Sequence, residues 1–113
     1  MVNLIEDLKT LGKKAYIEGD APEELPADFY TVSEDYTSDN LSADNQAKEI
    51  LYEFTLTFYT TDARNVYQGI LDAKDALKKK GYIISGVGQR ANSYMGWFAR
   101  AIDVKKIEYQ ERN

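Results

Sequence analysis

The 113-residue chain contains no cysteine and no histidine. The first absence excludes disulfides and thiolate chemistry and accords with an intracellular protein. The second removes the commonest general base and the commonest transition-metal ligand. No run of apolar residues approaches the ~20 needed to cross a bilayer, so no membrane partner is expected. The stretch from Met1 to Lys14 is charged throughout and lacks the apolar segment of a secretion signal. Positive charge is also scarce. Fourteen Lys and Arg against nineteen Asp and Glu leave a net charge of −5. That balance opposes binding to a phosphate backbone, and sequence-specific nucleic-acid recognition is not expected. The one lysine triplet, Lys78-Lys79-Lys80, suits a helix C-terminus, where cations complement the dipole.

What the chain does have is apolar content of 43%. That is enough for a core, and the length suits one domain spanning residues 1–113. Nine tyrosines and one tryptophan are a heavy load of side chains suited to surfaces buried on association.

The clearest pattern lies between Ile50 and Asp62. Ile50, Tyr52, Phe54, Leu56 and Phe58 alternate with Glu53, Thr55 and Thr57. This period of two predicts a long strand with one face in a core. Asp62 is a suitable N-cap for a helix over Ala63 to Lys80, striped by Val66, Ile70, Ala73 and Leu77 and stopped by Gly81. Gly69, inside that helix, suits a close approach to a sheet. Leu4, Ile5, Leu8 and Leu11 predict an N-terminal helix over Val2 to Lys14, followed by a short extended piece at Ala15 to Ile17. Further strands are expected at Asp28 to Glu34, Tyr82 to Val87 and Tyr94 to Tyr109. A turn is expected over Gly88 to Asn92. In the last strand Phe98, Ile102 and Val104 keep one phase and Ile107 and Tyr109 the other, which a bulge near Asp103 to Lys106 would reconcile. The segment at about residues 35–48 is polar and acidic and reads as a flexible loop at the tip of a long hairpin. The expected fold class is α+β: an antiparallel four-stranded sheet with two helices on one face, in the order α-β-β-α-β-β.

The motifs of chemistry fail in context. Gly86-Val87-Gly88-Gln89-Arg90-Ala91 matches a dinucleotide fingerprint, but the residues after it read as strand, where the mechanism needs a helix N-terminus. Asp35, Asp39 and Asp44 approach a calcium-loop register, yet Asn40 stands where glycine belongs and Gln46 where a bidentate glutamate belongs. No catalytic residue, cofactor or metal is expected.

The series NLSADNQAKEILYEFTLTFYTTDARN, ALKKKGYIISGVGQ and GWFARAIDVKKIEY resembles the small tail-completion proteins of long-tailed phages and prophages, the tail-terminator and tail-to-head joining proteins. The similar features are Ala43-Asp44-Asn45, Phe58-Tyr59-Thr60, Lys79 to Tyr82 and the strand after Pro26. Trp97 and the glycines between Gly86 and Gly96 depart from the pattern. The resemblance implies a virion protein, made in the bacterial host cytoplasm and located at the head–tail junction. It implies a hexameric ring that ends growth of the tail tube and meets the head connector. The partners would be further copies, the tail tube protein and a head connector or head-completion protein. The expected subunit contacts are Tyr36, Leu41, Asp44, Asn45, Leu51, Tyr59 and Trp97. The competing reading is a soluble ligand-binding or regulatory module, in a dimer, with a pocket between helix and sheet.

Overall fold

The computed structural model describes residues 3–41 and 47–111. Its elements are α1 (Leu4–Asp7), β1 (Lys14–Ile17), β2 (Asp28–Leu41), β3 (Ala47–Thr60), α2 (Val66–Lys78), β4 (Gln89–Tyr94) and β5 (Trp97–Glu111). One-turn 3-10 segments come after α1 and before α2. The class is α+β, as expected, but the sheet is five-stranded and mixed, in the order β1-β2-β3-β5-β4.

The extra strand corrects the four-stranded antiparallel expectation. Ala15 to Ile17 pairs parallel to Tyr30–Val32, and Glu18 extends the ladder by donating its N–H to the Val32 carbonyl. The return to β2 then needs a crossover, and the loop over residues 18–27 supplies it.

The N-terminal helix is shorter than its apolar spacing suggests. Asn3 caps α1 by accepting the Glu6 N–H, and Gly12, at φ 72°, ends the 3-10 turn before Lys14. The other helix begins later than expected: Asp62 caps a 3-10 turn over Ala63–Asn65, and α2 follows from Val66. Asp62 accepts the Arg64 N–H. At the C-terminus the Tyr82 N–H reaches the Leu77 carbonyl and the Gly81 N–H that of Lys78. That is a Schellman closure with Gly81 left-handed at φ 90°.

Phe54, Leu56 and Phe58 face the helices as their alternation predicts. They are buried with Leu4, Leu8, Ile70, Ala73 and Leu77, and Tyr52 packs against the same cluster. Gly69 lies directly over the Phe58 ring, where a Cβ would overlap ring carbons. Its carbonyl accepts the Tyr30 hydroxyl at 2.7 Å. The helix thus sits as close to the sheet as a residue without a side chain permits.

The C-terminal half departs from expectation. Tyr82 to Val87 is not a ladder strand; it touches the sheet through one bridge, Ile83 with Lys105. The expected turn over Gly88 to Asn92 is instead most of β4. The turn is Met95-Gly96, both with positive φ, between the paired Tyr94 and Trp97. Two such residues make the type I′ connection that matches strand twist. The expected bulge near Asp103 is absent: β3 and β5 pair without interruption from Ala47–Glu111 to Thr60–Phe98. A bulge occurs in β2, where Asp35 is the unpaired residue between Glu34 and Tyr36. The polar segment expected as a loop at 35–48 is strand on both sides, through Leu41 and from Ala47. The remainder of that expectation lies outside the described residues.

Candidate assembly surface

Both helices cover one face of the sheet. The opposite face carries the odd-numbered residues of β3, and it has two regions of different character. At the end nearest α2's N-terminus is an aromatic cluster. Phe29 stacks on Tyr59 with centroids 4.9 Å apart, and meets Tyr16 and Trp97 edge-on at 6.0 and 6.3 Å. The Trp97 indole donates to the Pro26 carbonyl at 3.1 Å, pinning the crossover loop across this end. Loop and sheet enclose a groove of about 470 Å³ lined by Pro22, Glu23, Leu25, Phe29 and Tyr59.

At the other end, β2, β3 and β5 project as a three-stranded arm. There β1 has ended, and among the described residues β5 has only the single bridge from Ile83 on its outer side. Leu51 pairs with Ile107 and Glu49 with Tyr109. Ile107, Tyr109 and Ile83 are exposed, Tyr109 by 67%. The pair Glu53 and Lys105, 3.4 Å apart, separates this apolar group from the threonines of mid-strand. An exposed pair of this kind contributes little to stability.

Of the expected contact residues, Leu51, Tyr59 and Trp97 share the helix-free face. Tyr59 and Trp97 converge on Phe29. Leu51 lies about 26 Å further along β3, at ~3.3 Å per residue. Tyr36 and Leu41 occupy β2 positions paired with Glu53 and Lys48. Asp44 and Asn45 lie outside the described residues. Sequence reasoning missed Ile107 and Tyr109 because it moved them to the core side by an imagined bulge. Taken without that bulge, their phase against Ile102 and Val104 already places them on the open face. Phe29 was missed because Phe29-Tyr30 presents an aromatic to each side of the strand, which erases the alternation.

The glycine segment has a structural role. Arg100 donates from Nε to the Val87 carbonyl at 2.8 Å and from a terminal nitrogen to that of Gly88 at 3.1 Å. Lys74 donates to the Gly86 carbonyl at 2.5 Å. Arg100 also lies 5.1 Å from the Tyr67 ring centroid. Gly88 leads directly into β4, so no helix N-terminus is presented to a pyrophosphate. Asp35, first of the candidate calcium ligands, accepts hydroxyl hydrogen bonds from Ser33 and Thr55. Asp39 stands in a paired strand, which cannot wrap a cation as a calcium loop does. Among the described residues no three acidic side chains gather as a metal site.

Two buried phenols show what the helix side does electrostatically. Burial raises Tyr30 above its ordinary value of 10.0, with added push from Asp72 and Asp28. Burial raises Tyr82 too, together with its hydrogen bond to Asp7 and that carboxylate's charge. As neutral donors, Tyr30 holds α2 to the sheet and Tyr82 ties α1 to the segment that follows α2. The helix-free face with its arm is the side of the sheet that the two helices leave uncovered. No family model matches the chain, and no curated protein matches it.

Proposed function

We propose that the protein is a structural assembly subunit of a long-tailed phage or prophage, acting at the head–tail junction. Six copies form a ring at the head-proximal end of the tail tube, stop tube growth and join the tail to the head. The observation that carries this reading is the arm. It exposes Ile107 and Tyr109 beside the half-buried Leu51 on one face and, among the described residues, leaves the outer edge of β2 beyond β1 unpaired. Unpaired edges and exposed apolar groups are liabilities unless a partner covers them. A closed ring needs a heterologous contact, in which one surface of each copy meets a different surface of the next. The arm and the compact end are two such surfaces. The resemblance, which runs from about Tyr16 to Glu111, supplies the class of assembly.

Negative-stain microscopy of the protein mixed with tail tubes tests this. Rings capping tube ends are expected, and Ile107→Glu with Tyr109→Ser should abolish them without lowering the melting temperature. Tubes that stay uncapped, or capping untouched by the arm variants, rejects the proposal. One observation favours a second reading, a ligand-binding module. A cleft of about 440 Å³ lies between α2 and β4–β5, lined by Ala63, Val66, Arg90, Phe98 and Arg100. Saturable small-molecule binding there, with no ring, would select it.

A further inference from the structure

The crossover loop and the aromatic cluster together form a groove whose two surfaces differ in kind. Its floor is the half-buried Tyr59, backed by the buried Phe29 on which it stacks, and Pro22 and Leu25 make its apolar wall. Its rim is acidic. Glu18 and Glu23 line it, and the stretch from Glu18 to Glu24 has four carboxylates and no base. Among the described residues none of those four carboxylates is ion-paired with a cation of this chain. All four are exposed. Lys13, close by in sequence, is committed to the other side of the sheet, 5.3 Å from the Phe58 ring centroid.

We propose that this groove binds an extended basic segment of a partner protein, seating a lysine or arginine between the open face of Tyr59 and the Glu18/Glu23 rim. An aromatic face attracts a cation through its quadrupole, and unpaired carboxylates around it complete the countercharge. The apolar wall accepts the aliphatic stem of that side chain or an apolar neighbour. The volume lies within the ~300–1,000 Å³ typical of ligand sites. The net charge of −5 steers a basic segment toward the molecule. The proposal goes beyond the ring reading and does not depend on it.

The test is an NMR titration of isotope-labelled protein with acetyl-Pro-Arg-Leu-Lys-amide, beside its counterpart with glutamate in both basic positions. Saturable shifts confined to residues 18–25, 29, 31 and 59, weakening with salt and absent for the acidic peptide, are expected. The double variant Glu18→Gln/Glu23→Gln, at exposed positions, should keep the melting temperature and weaken binding at least tenfold. Tyr59→Ala should weaken it similarly. Equal binding by the acidic peptide overturns the proposal, as do shifts scattered over α2's Asp72 and Asp75. Tetramethylammonium binding as tightly as the peptide would make this a small-cation site and overturn it as well. Shifts at these residues that track protein concentration without peptide would identify a second copy as the occupant, again against the proposal.

Discussion

Gly69 shows how much one absent side chain decides. Alanine would gain ~1 kcal/mol of helix propensity. Its Cβ would also overlap the Phe58 ring, and overpacking of that kind costs about 1–3 kcal/mol. Gly69→Ala is therefore expected to lower the melting temperature, and paired with Phe58→Leu to recover part of the loss. A calorimetric scan of the two variants checks both directions. The buried phenols lead to a pH prediction. Tyr30 and Tyr82 are raised above 10 in the folded state, so the fold prefers their protonated forms. Their contribution is complete below the unfolded value of about 10 and is lost as pH rises beyond it. Urea unfolding between pH 8 and 11 should show stability falling above pH 10. The fall should be shallower in Tyr82→Phe, whose baseline is lower because Asp7 loses its donor. A slope unchanged by that substitution would remove Tyr82 from the account.

At the scale of the element, β3 is the piece on which the fold depends, and Phe54 sits in its buried stretch. Phe54→Ala should cost ~3–5 kcal/mol, a large part of a typical ~5–15 kcal/mol. A melting curve left in place by that change would reject its core position. The β4–β5 hairpin runs the other way. Met95 adopts φ 38°, a left-handed conformation that a bulky side chain resists, and is 80% exposed. Met95→Asn should raise stability by roughly 1 kcal/mol, readable in a urea midpoint. β3 and α2 were legible because each rests on local chemistry: strict alternation, an apolar stripe, Asp62 starting the turn that leads into the helix, Gly81 after it. β1 was legible only as an extended piece, since four residues carry no sign of which strand they join or in which direction. The β2 bulge was hidden because Ser33 to Thr37 is largely polar on both faces, so no phase is visible to shift. The site was half legible for a related reason. Leu51 and Tyr59 stand out as apolar residues in the polar phase of β3. The convergence of Tyr16, Tyr59 and Trp97 on Phe29 depends on strand order, which sequence does not print.

As a whole, the molecule is longer than its residue count requires. Its extents are 52 × 28 × 24 Å and its radius of gyration 15.5 Å, against about 13 Å for a compact domain of this size. The arm accounts for the difference. It also divides one continuous strand into two environments, because all 14 residues of β3 pair with β5 while the helices cover only part of that length. Hydrogen bonding is thus uniform along β3 and shielding is not. The consequence is a difference in time. Amides from Phe54 to Thr60 should exchange with deuterium only when the whole domain unfolds, whereas those from Glu49 to Glu53 should exchange through partial opening, orders of magnitude sooner. Exchange read by mass spectrometry would show a step within a single strand, and in an assembled ring the step should vanish as the neighbour closes the faster half. The same boundary sets where a protease would first cut the free subunit: on the arm side of Phe54, with the compact end surviving as the resistant fragment.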